Sequence, residues 1–433
     1  MRSRSPAGPP GPTGERWVGN LAAYETDRLG FLLATREEHG DLVGFDGRTA
    51  LVHGPALVSA VLRDRDGSFE IDENFLQQRL SIAAVDEVFR SRSLLNPGLR
   101  PAALLGVAPH VVQLAHEQLS GRAAAGVAFD PVPVFERVIS AAVARHFFGD
   151  EGAGLPELTG RLLDALAQVI GNPWALPASF PTPTRRRIRR RHLELRGEVV
   201  SRLEARSRRP ERYADLAARV VTARAAAHEA RLPLDRVADL LIGSLLAAQR
   251  VPAAAAAWMS MLVADHPEWQ TRARDDETVA RAVVLEALRL YPPTWVIMRR
   301  ATRNVRLGGF AFAPGHHFLI SPYVVHRDPR VFEEPATFRP QRWMSQQSSP
   351  EGYVPFGAGR HRCPGSNLAT VTLVALLRSI VRLGDVTRAG DVTPDARTTL
   401  LPSGLQLRVC AAVPGFLAAD VAAASVRAAA LTG

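Results

Sequence analysis

One cysteine stands among three glycines in the segment PFGAGRHRCPG, residues 355–365, and no other segment restricts the fold as strongly. Glycine adopts backbone conformations that other residues resist and lets the backbone approach a neighbouring group closely. The segment therefore predicts a tightly turned loop. The next stretch, NLATVTLVALLRSIVRLG, has the apolar spacing of a helix. Cys363 thus precedes a helix, where unpaired N–H groups favour a thiolate.

A thiolate in this position indicates a metal ligand or a nucleophile. The only other cysteine is Cys410, and no cluster of Cys or His accompanies Cys363 in the sequence. A lone cysteine argues against a zinc site and leaves haem iron or nucleophilic catalysis open. Two cysteines imply no disulfide framework and fit a reducing compartment.

Composition predicts a globular, soluble protein. Apolar residues make up 46% of the 433 residues, and no uncharged apolar run reaches the length of about 18 residues that a membrane span needs. The N-terminal MRSRSPAGPPGPTGERW lacks the apolar segment of a signal peptide or anchor. We therefore expect a cytoplasmic protein that does not bind membranes.

The formal net charge is +10, and all 53 basic residues are arginine. The most basic run, 184–209, has the apolar spacing of a surface helix and no interleaved aromatic residues. Nucleic-acid-binding proteins favour such aromatics or a known binding module. We expect no nucleic-acid partner.

Patterns along the chain predict a mainly α fold with a small β-rich portion. Alternation and turn residues in DLVGFDGRTALVHG, 41–54, predict a hairpin. Helical patterns dominate 55–290, and short strands follow in VRLGGFAF and HHFLISPYVV. No linker divides the chain, so we expect one domain over 1–413 and an Ala-rich tail over 414–433.

The cysteine segment resembles the haem-binding loop of the cytochrome P-450 family, F-G-x-G-x-[HR]-x-C-x-G. The matching residues are Phe356, Gly357, Gly359, His361, Cys363 and Gly365. Other family signatures occur in the family's order: EALR with Glu286 and Arg289, three residues apart on one helix face, and FRPQRW with Arg342. The resemblance implies that these three charged residues form a structural triad.

The resemblance also implies the family's fold, with a b-type haem between a long central helix and the helix after the cysteine loop. Cys363 is then the proximal iron ligand, in a cofactor-binding loop that includes Phe356 and Gly357. His361 and Arg299 match positions that contact the haem propionates.

A further propionate contact is weakened in this sequence. The family's W-x-x-x-R motif falls on VFRSR, where Val88 replaces the aromatic residue and Arg92 keeps the cation. The expected signals before it are also missing, so we expect the loop 67–88, which normally covers the substrate pocket, to differ.

The segment AAQRVP, 247–252, aligns with the family's [AG]-G-x-[DE]-T-[TS] motif, whose acid and threonine deliver protons to dioxygen. Arg250 takes the place of the acid and Val251 that of the threonine. Valine has no exchangeable side-chain proton, and an arginine is not deprotonated in a protein. Pro252, inside the predicted helix, is expected to bend it.

Three interpretations of Arg250 remain open. It forms an ion pair with an acid on a neighbouring helix, as buried charges require. Alternatively, it faces the pocket and binds a substrate carboxylate through a bidentate pair. In the third, the protein has lost ordinary oxygen activation and catalyses another reaction at the iron.

The sequence therefore predicts a haem-thiolate oxidoreductase, most simply a monooxygenase of bacterial natural-product metabolism that acts on a small hydrophobic molecule. Its electrons would come from a ferredoxin and a ferredoxin reductase. One alternative is a peroxygenase, isomerase or N–O-cleaving enzyme acting on a carboxylic acid held by Arg250. A haem-binding protein without catalysis and a nucleophilic-cysteine hydrolase are further alternatives.

Overall fold

The computed structural model describes residues 8–15, 19–71, 91–170, 182–226, 232–345 and 349–411. The predicted tail, 414–433, and most of the predicted loop 67–88 lie outside these ranges. The chain divides into two compact units, one made of 1–72 with 285–363 and the other of 73–284 with 364–433. The expectation of one domain over 1–413 stays a prediction.

The described residues are mainly helical, which confirms the predicted fold class. The helices are α1 Leu21–Thr26, α2 Arg28–His39, α3 Pro55–Leu62, α4 Asn96–Leu99, α5 Val107–Ala125, α6 Pro131–Phe148, α7 Leu155–Ile170, α8 Pro183–Arg208, α9 Leu216–Ala226, α10 Leu234–Ala247, α11 Arg250–Asp265, α12 Pro267–Asp275, α13 Glu277–Leu290, α14 Pro322–Val325 and α15 Ser366–Leu383.

The strands are short. They are β1 Leu42–Gly44, β2 Thr49–Val52, β3 Phe69–Glu70, β4 Ile297–Ala301, β5 Val305–Leu307, β6 Phe310–Phe312, β7 His317–Ile320, β8 Gly384–Ala389, β9 Thr393–Asp395, β10 Leu401–Ser403 and β11 Gln406–Ala411.

The first unit contains a mixed sheet in the order β1-β2-β7-β4-β3. Strands β1 and β2 form the predicted hairpin, with Leu42 opposite Val52. Strand β2 runs parallel to β7, and β7 runs antiparallel to β4. Alternate side chains of these strands form an apolar core around Phe318, against which Phe69 and Phe312 pack edge to face. Aromatic rings favour this arrangement.

The second unit is a helical assembly with two small antiparallel sheets, one of β8 with β11 and the other a hairpin of β9 with β10. Helix α5 packs on α15, and α6 packs on α11. Helix α11 is almost entirely apolar from Ala253 to Val263, and each of these residues is buried. A helix that is apolar on all sides belongs in a protein core. Trp258 fixes it to the chain before β10 by donating to the Leu400 carbonyl at 2.9 Å.

Two stretches, Leu234–Asp265 (α10 and α11 taken together) and Ser366–Leu383 (α15), are long and apolar enough to cross a membrane by length and composition alone. More than half of each apolar window is buried inside the protein, 56% and 61%. Core helices of soluble proteins have the same property, so the two segments are weak evidence for a membrane.

Candidate haem-thiolate site

The cysteine loop has the tight turns that its glycines predict. Gly357 and Gly359 both have positive φ angles, +68° and +65°. A Cβ atom on Gly359 would overlap the Leu62 carbonyl oxygen, so this position excludes every other residue. The Cys363 N–H donates to the Phe356 carbonyl at 2.9 Å, which closes the loop behind an exposed cysteine.

A buried carboxylate lies at the centre of the charged cluster formed by Glu286, Arg289, Arg342 and Trp343. Glu286 and Arg289 are fully buried and form a two-point ion pair, with N–O distances of 2.8 and 2.9 Å. Arg342 donates to the same carboxylate at 3.1 Å and Trp343 at 2.8 Å. A buried ion pair is stable only if hydrogen bonds from the protein replace those that water would have made, and this carboxylate has them.

The two residues aligned with propionate contacts lie in the first unit. Arg299 is buried on β4 and donates to the Met298 carbonyl at 2.8 Å. The His361 Nε2 lies 3.0 Å from a carboxylate oxygen of Glu70, a residue that also bonds Arg360. Burial and then the charge of Arg299 lower the pKa of His361, while Glu70 opposes the shift. These groups therefore form one electrostatic cluster that includes Arg360 and His361 of the cysteine loop.

The AAQRVP segment is not one continuous helix. Helix α10 ends at Ala247, and α11 begins at Arg250 after a break at Ala248 and Gln249. Gln249 is buried, and its side-chain amide donates to the Thr159 hydroxyl and, at 3.4 Å, to the Pro156 carbonyl on α7. Instead of a bend at Pro252, the chain has a full interruption of the helix three to four residues before it, at Ala248 and Gln249.

Arg250 is half-buried and forms an ion pair with Glu136 of α6. Its Nε donates to the carboxylate at 2.9 Å, and its Nη2 lies 3.8 Å from Asp164 of α7. A cation in the first turn of a helix is opposed by the helix dipole, and the two acids offset this. Of the three interpretations, the contacts favour the ion pair. Val251 beside it is 36% exposed and carries no proton-handling group.

The altered W-x-x-x-R motif lies at the edge of the described residues. Arg92 belongs to a short 3₁₀ segment, Ser91–Leu95, and its side chain lies outside the described residues, as does Val88.

The sequence profile described as Cytochrome P450 matches residues 9–405. The chain belongs to the cytochrome P450 family. It is accordingly a haem-thiolate oxidoreductase of the monooxygenase type, as the resemblance of its cysteine loop predicted.

Individual cytochromes P450 are similar to this chain over different lengths. A cyclooctat-9-en-7-ol 5-monooxygenase of Streptomyces melanosporofaciens is 27% identical over 89% of this chain and 95% of its own. The human lanosterol 14-alpha demethylase is 31% identical over 52% of this chain and 50% of its own. A six-coordinated cytochrome P450 from Thermus thermophilus shares the fold, with a TM-score of 0.70, 24% identity and coverage of 89% of this chain and 98% of that one.

The residues present fit the family's haem. Cys363 offers an accessible sulfur on a loop closed by backbone hydrogen bonds, and Arg299 lies close enough to His361 to lower the pKa of its imidazole. A buried cation next to a hydrogen-bonding imidazole suits the carboxylates of a porphyrin. The donor set therefore matches a haem with a thiolate ligand.

The sequence alone did not reveal the two acids and the hydroxyl that complete these clusters. Glu70 is 291 positions from His361, Glu136 is 114 from Arg250, and Thr159 is 90 from Gln249. No periodicity connects such distant positions. Trp343 could have been found, because it directly follows Arg342 in FRPQRW and its indole N–H needs a partner when buried.

Proposed function

We propose that this cytochrome P450 is a soluble, cytoplasmic bacterial monooxygenase of natural-product metabolism, folded as one haem-thiolate domain over 1–413. Its proposed substrate is a small hydrophobic alcohol whose own hydroxyl helps to deliver protons. The observation that carries the proposal is the engagement of Arg250 with Glu136, next to Val251 and a Gln249 bonded to α7. In this turn the side chains offer no carboxylate or hydroxyl for proton transfer.

Cys363 would bind the haem iron through its sulfur, with Phe356 and Gly357 shaping its loop, and Arg299, His361 and Arg92 would contact the haem propionates. The proposed cofactor is the b-type haem that the family resemblance implies, and the absence of the C-x-x-C-H sequence of covalent haem attachment at either cysteine is consistent with it. When bound, this haem supplies the redox-active iron that transfers oxygen. Glu286, Arg289 and Arg342 hold the segment that leads to the cysteine loop.

The net reaction converts a C–H bond, dioxygen, two electrons and two protons into a C–OH group and water. An acidic ferredoxin with its reductase would supply the electrons, and the chain must provide for the protons. Because valine donates no proton, a substrate hydroxyl or an ordered water has to replace the threonine of the family motif. Both curated relatives described above are named for alcohols, cyclooctat-9-en-7-ol and lanosterol, which supports a hydroxylated substrate.

The test compares a hydrophobic alcohol with its methyl ether, using cyclooctat-9-en-7-ol as the first probe and a surrogate ferredoxin and reductase. Spectral titration of the ferric protein first establishes that both compounds bind. We expect product per electron to fall about a hundredfold with the ether, which is the size of a general acid–base contribution. Equal coupling with alcohol and ether would reject the substrate-assisted relay.

Val251→Thr is the matched variant. It returns the hydroxyl of the family motif. It should therefore raise the yield of product per electron with the ether and leave the yield with the alcohol almost unchanged. A second comparison, of hydrophobic carboxylic acids with their esters on wild type and Arg250→Ala, tests the other function. A response to acids alone that Arg250→Ala abolishes would establish Arg250 as a carboxylate anchor and replace the proposal.

A further inference from the structure

A fully buried histidine, His326, joins the charged cluster to the start of the cysteine loop. Its Nδ1 lies 3.0 Å from the Arg289 carbonyl, and its Nε2 lies 2.9 Å from the Val354 backbone nitrogen. The backbone N–H of Val354 can only donate, so Nε2 accepts and Nδ1 carries the proton. The imidazole is neutral and has one defined tautomer.

The connection continues in both directions. Arg289 bonds the His326 carbonyl through Nη1 at 3.0 Å, so the two residues are joined twice. On the other side, the Val354 carbonyl accepts from Gly357 at 3.0 Å, and the Phe356 carbonyl accepts from Cys363 at 2.9 Å. A continuous path of hydrogen bonds and short backbone steps therefore runs from the buried ion pair to the backbone of the proposed ligand.

We propose that His326 is a positioning residue for the thiolate, and that it acts through its Nε2 by holding the Val354 N–H at the start of the cysteine loop. The inference rests on the proposed function of Cys363 as the iron ligand. Val354 is buried, with 4% of its surface exposed, so in the folded protein its N–H depends on the imidazole for a partner. An unsatisfied buried N–H favours loop conformations in which it finds another acceptor.

Two amide substitutions separate the two ring nitrogens. His326→Gln extends an oxygen toward the Nε2 position and keeps an acceptor for Val354. His326→Asn places its amide near the Nδ1 position, keeps a donor for Arg289 and leaves Val354 without a partner. If His326 serves only in packing or in holding Arg289, His326→Asn should preserve thiolate ligation at least as well as His326→Gln. If His326 positions the loop, His326→Gln should preserve it better.

The readout is the spectrum of the reduced carbon monoxide complex, which distinguishes thiolate ligation from the blue-shifted form without a thiolate. We expect His326→Gln to resemble wild type and His326→Asn to hold about tenfold more of the blue-shifted form. Equal spectra for the two variants, or the reverse order, would overturn the proposal. His326→Leu, which lacks both contacts, should be no better than His326→Asn.

A second readout needs no haem. Hydrogen exchange at the Val354 amide, measured relative to global unfolding in the haem-free protein, should be about tenfold faster in His326→Asn than in His326→Gln. Exchange that is equally protected in both overturns the inference, even if either variant is poorly stable. A wild-type protein with no thiolate spectrum would reject Cys363 as the ligand, and the exchange experiment would still decide the role of His326.

Discussion

Two arginine–carboxylate pairs in this protein show how burial changes what an ion pair requires. Glu286 and Arg289 are both fully buried, and the carboxylate also accepts from Arg342, from Trp343 and from the Arg339 backbone N–H at 2.9 Å. Arg250 and Glu136 keep 33% and 25% of their side chains exposed and have a single close contact. In the first pair the protein supplies every hydrogen bond, and in the second water shares that task. The difference predicts which pair is indispensable.

The largest effect is expected from Glu286→Gln, which keeps the shape of the side chain and removes its charge. The buried Arg289 would lose its counter-ion, and breaking a buried pair in this way costs about 3–5 kcal/mol of folding free energy. Urea unfolding measures the loss, and haem content should fall with it. Glu136→Gln is the matched control, and a similar small loss for both variants would remove the distinction between the two pairs.

Acid should weaken the first unit through two buried histidines. Burial lowers the pKa of His326 from 6.5 to about 3 and that of His53 to about 4. Below pH 6.5 the unfolded chain therefore binds protons at both histidines, whereas the folded chain does not. The stability that the neutral histidines contribute is fully present above pH 6.5, and it is lost as the pH falls toward their folded-state pKa values. His53→Leu should reduce the slope of stability against pH by up to about 1.4 kcal/mol per pH unit between about pH 6 and pH 5.

The control for the acid experiment is Arg250→Ala, which should leave that slope unchanged because arginine stays charged over this range. Urea midpoints at several pH values give the slopes. A His53→Leu protein as acid-sensitive as wild type would show that His53 is protonated in the folded state.

A smaller effect is expected for the partly exposed pair of Arg250 and Glu136. A double-mutant cycle with Arg250→Ala and Glu136→Ala should give a coupling of about 0.5 kcal/mol, as for other partly exposed ion pairs. Asp164→Asn in place of the Glu136 substitution should give almost none, because Asp164 is 3.8 Å from Arg250 and 75% exposed. Coupling above about 3 kcal/mol would place Arg250 in the same class as Arg289.

The smallest effect is the response of these couplings to salt. Raising the ionic strength from about 0.1 M to about 1 M shortens the Debye length from about 10 Å to about 3 Å. The Arg250–Glu136 coupling should then shrink to about half, whereas the cost of Glu286→Gln should hardly change. Equal screening of the two would mean that water reaches Glu286.

The regions that the sequence predicts are those whose contacts join residues close together in the chain. The spacing of Glu286 and Arg289 places both on one helix face, and the glycines around Cys363 restrict a few consecutive residues. Such local patterns predicted the family, the mainly α fold and the β1–β2 hairpin.

The break before α11 could not be predicted, because apolar residues continue on both sides of it. The bonds from Gln249 to α7 stabilise it, and they depend on the tertiary fold. The partner of Arg250 was unpredictable for the same reason, since any acid on a neighbouring helix would have satisfied the pattern.

Because α11 begins at Arg250, Pro252 is the third residue of that helix and not an interior one. Its missing N–H belongs to the first turn, where backbone donors have no partner within the helix, so the proline sacrifices no hydrogen bond there. Its ring also restricts the unfolded chain, which has fewer conformations to lose on folding. Part of the entropy cost of starting a new helix after the break is thus already met by the covalent structure of the chain.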